Sequence, residues 1–73
     1  MLLRYEREQV VEYSKKLLTS NLVKGSGGNI SLSNPEKTML AVTPSGVVYD
    51  SLEPENIVIL DMAGNQLEGE LAP

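Results

Sequence analysis

Gly25-Ser26-Gly27-Gly28-Asn29-Ile30-Ser31-Leu32 is where one kind of chain gives way to another. Upstream, apolar or small side chains recur at Leu3, Val10, Val11, Ser14, Leu17, Leu18 and Leu22, with neither Gly nor Pro in residues 3–22. That spacing predicts one face of an amphipathic helix. Downstream, apolar residues come in short runs: Ile30 and Leu32, then Met39-Leu40-Ala41-Val42, then 57–61, with a return through Gln66-Leu67-Glu68. The junction predicts an N-terminal helix followed by four or five short strands, an α+β arrangement with an antiparallel sheet.

Turn chemistry separates the runs. Asn34-Pro35-Glu36-Lys37 divides the first two strands, and Ala63-Gly64-Asn65 makes a hairpin turn. Thr43-Pro44-Ser45-Gly46 forms a tight turn, with proline preset for its first corner and Gly46 free to take positive φ. Residues 51–56, with Pro54 near the start, read as a single helical turn. On the helix, Glu12 precedes Lys15 and Lys16 in a favourable order on an exposed face, and Asn21 suits the C-terminal cap.

With 73 residues, the chain is expected to be a single, incomplete domain spanning 1–73. A chain this small buries only about 60% of its unfolded surface, and such chains usually need a disulfide, a metal or a neighbouring subunit. There is no Cys or His, so disulfides are excluded and zinc has no customary ligands. Ten acids against six bases give a net charge of −4, which argues against nucleic acid and against anionic membranes. The longest aliphatic run, Ile57-Val58-Ile59-Leu60, falls far short of the roughly 20 residues that span a bilayer. No secretory leader is legible at the N-terminus, and the cytoplasm is the expected compartment.

Consecutive backbone N–H groups in a Gly-rich turn can form a concave, partly positive nest for an oxyanion. The run from Gly25 to Asn29 admits that reading, but taken alone it reads more readily as an ordinary connection. It is not a Walker loop or a dinucleotide fingerprint, because it lacks their Lys or third Gly and leads into a strand rather than a helix. Ser45 and Gly46 admit the same two readings, as anion donors or as plain turn residues. An antiparallel return of the second strand would bring both turns to one end of the sheet. No residue is assigned a catalytic role: no His or Cys is present, and no carboxylate or serine has an activating partner in sequence.

The Gly25-Ser26-Gly27-Gly28-Asn29-Ile30-Ser31 run, then Val42-Thr43-Pro44-Ser45-Gly46-Val47-Val48-Tyr49-Asp50, Leu52-x-Pro54-Glu55-x-Ile57-Val58 and a Gly64 turn, together resemble the class II aldolase/adducin family. The resemblance spans the whole chain but only the first third of that family's α/β/α domain, and the pattern is nearest its fuculose-phosphate aldolases. It implies a metal-dependent aldehyde-lyase acting on a phosphorylated ketose, with ribulose-phosphate 4-epimerases, methylthioribulose-phosphate dehydratases and the non-catalytic adducin-like scaffold as alternatives. By similarity, Gly28, Asn29, Ser45 and Gly46 hold the substrate phosphate, with Ser26 and Thr43 as weaker candidates. The family also implies a homotetramer and a divalent ion such as zinc. Its histidine ligands and its catalytic carboxylate would lie past Gly69-Glu70-Leu71-Ala72-Pro73, outside this chain.

Overall fold

A computed structural model describes residues 1–20 and 30–73. Helix α1 (Arg4–Thr19) is followed by strands β1 (Ser31–Ser33) and β2 (Met39–Val42), two 3₁₀ turns (Tyr49–Ser51 and Pro54–Asn56), and strands β3 (Val58–Asp61) and β4 (Gln66–Glu68). The strands form one sheet in the order β1-β2-β3-β4, with every pair antiparallel. The expected α+β arrangement is therefore present. The helix is shorter than residues 3–22. Ser20 takes the cap position, its N–H donating to Lys16 O at 2.9 Å, and Asn21 lies outside the described residues.

The predicted helix face is the one that is buried. Val10 and Val11 pack with Ala41, Tyr49, Leu52, Ile57 and Ile59, while Leu3, Leu18, Ile30, Met39 and Val47 close the margins. Ser14 is fully buried and donates to Val10 O at 2.7 Å, so a small side chain with an internally satisfied hydroxyl lets α1 approach the sheet. Ala41 and Ile59 are register partners and point into this core. Val58, of opposite parity, is buried on the other face.

Strand register is set locally at both hairpins. Between β1 and β2, the buried Asn34 accepts from Thr38 N at 2.9 Å and Met39 N at 3.1 Å, and donates to Thr38 Oγ1 at 2.9 Å. Between β3 and β4, Asp61 Oδ1 accepts from Ala63 N and Asn65 N, both at 2.9 Å, and Oδ2 accepts from Asn65 Nδ2 at 3.0 Å. A bulge follows, because Ile59 pairs with Glu68 and Leu60 with Gln66, leaving Leu67 as the extra residue.

Two charged residues depart from the simple amphipathic pattern. Glu6 and Arg7 are both buried, although they sit in the charged opening of the helix. Arg7 Nε donates to Leu2 O at 2.5 Å, and Nη1 donates to Pro54 O at 3.1 Å and Ile57 O at 3.2 Å. Its Nη2 pairs with Glu68 Oε1, which also accepts from Leu2 N at 3.0 Å.

Arg7→Leu keeps the apolar stem but takes the guanidinium donors away from the Pro54 and Ile57 carbonyls and leaves the Glu68 carboxylate with Leu2 N alone. It should lower stability by about 2–5 kcal/mol. Arg4→Ala, which breaks only an exposed pair with Glu8, should change it by less than about 1 kcal/mol. Chemical denaturation of the two variants compares them directly. At the far hairpin, the Asn65 side chain, followed by the Asn65, Ala63 and Gly64 backbone, holds the Asp61 carboxyl below the usual carboxylate range. A folded-state value below the unfolded one means that this stabilisation is present above the unfolded carboxylate value, about 3.9. It is lost as pH falls through the depressed folded value. Asp61→Asn should flatten that acid dependence, read as the pH titration of the Gly64 and Asn65 amide resonances.

Candidate functional site

The antiparallel order collects the start of β1, the end of β2, the start of β3 and the end of β4 at one end of the sheet. There the β1–β2 ladder runs one residue beyond the strands. Thr43 N–H donates to Ile30 O at 3.0 Å, and Ile30 N–H donates to Thr43 Oγ1 at 3.1 Å. Ile30 is the residue joined to Asn29, so the exit of the glycine run is tied to the residue that opens the 43–46 turn. Ser26, Gly28 and Asn29 themselves lie outside the described residues.

Thr43 is fully buried, and its hydroxyl oxygen takes the Ile30 N–H. It thereby ties the start of the 43–46 turn to the residue that follows the glycine run. Pro44 is buried beside it, whereas Ser45 and Gly46 are exposed at the tip. Gly46 has φ +77°, the left-handed conformation expected of it, and the space a Cβ would take is open. Its N–H has no partner among the described residues.

Ser45 carries a contact that local sequence reasoning missed. Its N–H donates to Ala72 O at 2.9 Å and its Oγ donates to Pro73 O at 2.5 Å. The segment 69–73 thus returns to the tip of the turn, and two oxygens lie against the two Ser45 donors. No local pattern encodes a pairing across 28 residues.

Elsewhere the surface is less suited to an anion. A cleft of about 460 Å³ beside Arg7 is also lined by Glu55, Glu68 and Glu70, and Arg7 is already committed to carbonyls and to Glu68. A divalent ion does not fit the residues present: the chain has no His or Cys, and no three His, Cys, Asp or Glu side chains converge among the described residues. No step is therefore routed through a metal here.

The family profile described as "Class II Aldolase and Adducin N-terminal domain" matches residues 8–73. The chain belongs to the class II aldolase and adducin family. It is 49% identical, over all of its 73 residues, to the 5-deoxy-D-ribulose 1-phosphate aldolase of Bacillus thuringiensis serovar kurstaki, covering 34% of that protein. Its fold superposes on an L-fuculose 1-phosphate aldolase with a TM-score of 0.86 at 40% identity, covering 93% of this chain and 32% of that one. YgbL from Escherichia coli follows with a TM-score of 0.84 at 26% identity, covering 94% of this chain and 33% of that one. The chain thus spans about a third of the length of the relatives it matches, and it corresponds to the N-terminal portion of the family's domain. Among the described residues, no helix is long and apolar enough to cross a membrane.

Gly46→Ala tests the local geometry of the 43–46 turn. Because a Cβ would meet nothing within 4 Å, the whole penalty is conformational. Stability measured by denaturation should fall by about 1–2 kcal/mol.

Proposed function

We propose that these residues supply phosphate-binding turns to a metal-dependent sugar-phosphate aldolase that reversibly cleaves a ketose 1-phosphate. The observation that carries the reading is the Ile30–Thr43 exchange, which ties the exit of the glycine run to the base of the exposed 43–46 turn. A glycine-rich run joined in sequence to Ile30, the residue bonded to the base of the 43–46 turn, suits a dianion in an acidic protein, where focused backbone dipoles must replace net positive charge. In this reading Gly28 and Gly46 offer backbone N–H groups, Asn29 its side-chain amide, and Ser45 a hydroxyl turned from Pro73 O toward the anion. Ser26 is a further contact, and Thr43 holds the frame.

The names of the relatives support the substrate class, since two of them are aldolases of ketose 1-phosphates. The divalent ion, zinc by analogy with the family, and the carboxylate that moves the proton belong to residues outside this chain. We further assign residues 1–73 to a single domain that the rest of the polypeptide completes, and the full-length protein to a cytoplasmic homotetramer.

Asn29→Ala in the full-length protein should remove one hydrogen bond to a charged group, roughly 1.5–3 kcal/mol or about ten- to a hundred-fold in affinity. The loss should appear with 5-deoxy-D-ribulose 1-phosphate or L-fuculose 1-phosphate and not with the unphosphorylated sugars. Glu36→Ala, in the turn at the opposite end of the sheet, should alter neither. An apparent affinity for the sugar phosphates within about twofold of the parent would return the glycine run to a plain connection. Product analysis by chromatography separates aldol cleavage from epimerisation and dehydration.

A further inference from the structure

We propose that Gln66 is a positioning residue for the 43–46 turn: its side-chain amide shapes the 69–73 segment so that the carbonyl oxygen of Ala72 meets the backbone N–H of Ser45. The proposal rests on the phosphate-binding reading of that turn. Gln66 stands at the start of the edge strand β4, opposite Leu60. Its Nε2 donates to Gly69 O at 2.8 Å and to Leu71 O at 3.0 Å, so both amide hydrogens are used and the chain winds around a single nitrogen. The next carbonyl, of Ala72, then accepts from Ser45 N at 2.9 Å, and the terminal oxygen of Pro73 accepts from Ser45 Oγ.

Gly69 makes that path available. It has φ +116°, and a Cβ there would lie 3.2 Å from Val58 Cα and 3.3 Å from Val58 Cγ2. The segment therefore passes β3 at a distance where a Cβ would press on Val58, in a conformation that glycine alone adopts readily. Gly69 gives the crossing, and Gln66 holds the chain beyond it. Asn at position 66 would be one methylene shorter than the side chain that reaches both carbonyls, whereas Glu keeps the shape but turns donors into acceptors facing two carbonyl oxygens.

The test uses the full-length protein and three variants, Gln66→Glu, Gln66→Lys and Asn29→Ala, with inorganic phosphate as the binding probe in calorimetry and 5-deoxy-D-ribulose 1-phosphate as the kinetic probe. Gln66→Glu should raise both the Kd for phosphate and KM about five- to ten-fold, as expected for the loss of one or two exposed hydrogen bonds. It should leave kcat within about twofold, because the chemistry at the reacting carbon is untouched. Exchange of the Ser45 amide hydrogen should quicken in the same variant, a direct readout of the loosened Ala72 contact. Gln66→Lys, which reaches as far and restores donors, should recover phosphate affinity to within about twofold. The positioning role is overturned if Gln66→Glu leaves phosphate affinity unchanged while Asn29→Ala weakens it. It is overturned too if the loss is equal for unphosphorylated sugar, or if Lys gives no recovery. If neither Gln66→Glu nor Asn29→Ala moves phosphate affinity, the phosphate reading of the turns fails and takes this proposal with it.

Discussion

The Arg7 guanidinium is the interaction on which the arrangement of the other parts depends. It is 2% exposed, and a guanidinium carries five N–H donors and no acceptor, so those donors must be met inside the fold. The acceptors come from four places: Leu2 O before the helix, Pro54 O in the second 3₁₀ turn, Ile57 O at the entry to β3, and Glu68 at the end of β4. Meeting all four restricts how α1 can rotate over the sheet. In the allowed orientation Val10 and Val11 face Ala41, Tyr49 and Ile59. Breaking such a set exposes polar groups to an apolar interior, which is why the arrangement is specific as well as stabilising.

The same clasp has a consequence at the candidate site. Glu68 is held by Arg7 and by Leu2 N, and the very next residue is Gly69, where the chain turns over Val58 toward Ser45. The end of β4 is therefore a fixed origin for residues 69–73, and Gln66 bends them from that origin. A link runs from a buried cation on the helix to the tip of an exposed turn entirely through side chains and carbonyls at one end of the sheet. No single element of this path is long, so little slack accumulates along it.

What was legible in the sequence was whatever nearby residues decide. The helix face, the β1–β2 and β3–β4 hairpins and the positive φ of Gly46 all follow from periodicity or from turn residues a few positions apart. The family resemblance, carried by the glycine run and by Thr43, Pro44, Ser45 and Gly46, is matched by the family profile over residues 8–73. What was not legible depends on distant partners. The burial of Arg7 is one such case, since an amphipathic pattern has no means of marking a cation three of whose acceptors lie 47 to 61 residues away. The 3₁₀ turn at Tyr49–Ser51 was hidden for a related reason: Tyr49 is held by burial in the core rather than by a turn residue of its own. Ser45 looked like an open donor because the oxygens that engage it arrive from residues 72 and 73.

That engagement also bears on how an acidic chain holds an anion. In the proposed role, the 43–46 turn must present aligned donors before any phosphate arrives, because donors that have to be reoriented on binding give back part of what they gain. The Ser45 N–H is already fixed on the neutral carbonyl oxygen of Ala72, and its Oγ on the terminal oxygen of Pro73. A phosphate oxygen carries formal negative charge, and hydrogen bonds to such an acceptor are roughly twice as strong as neutral ones. Exchange of the Ala72 carbonyl for a phosphate oxygen at the Ser45 N–H is thus favourable, and the carbonyl released is exposed and regains water. The contact keeps the donors ordered while the turn is empty and is weak enough to yield to a charged ligand. Replacing Ser45 by Ala would remove the Oγ donor and leave the backbone N–H on Ala72 O, whereas loosening residues 69–73 would disorder the N–H donor and leave its chemistry intact.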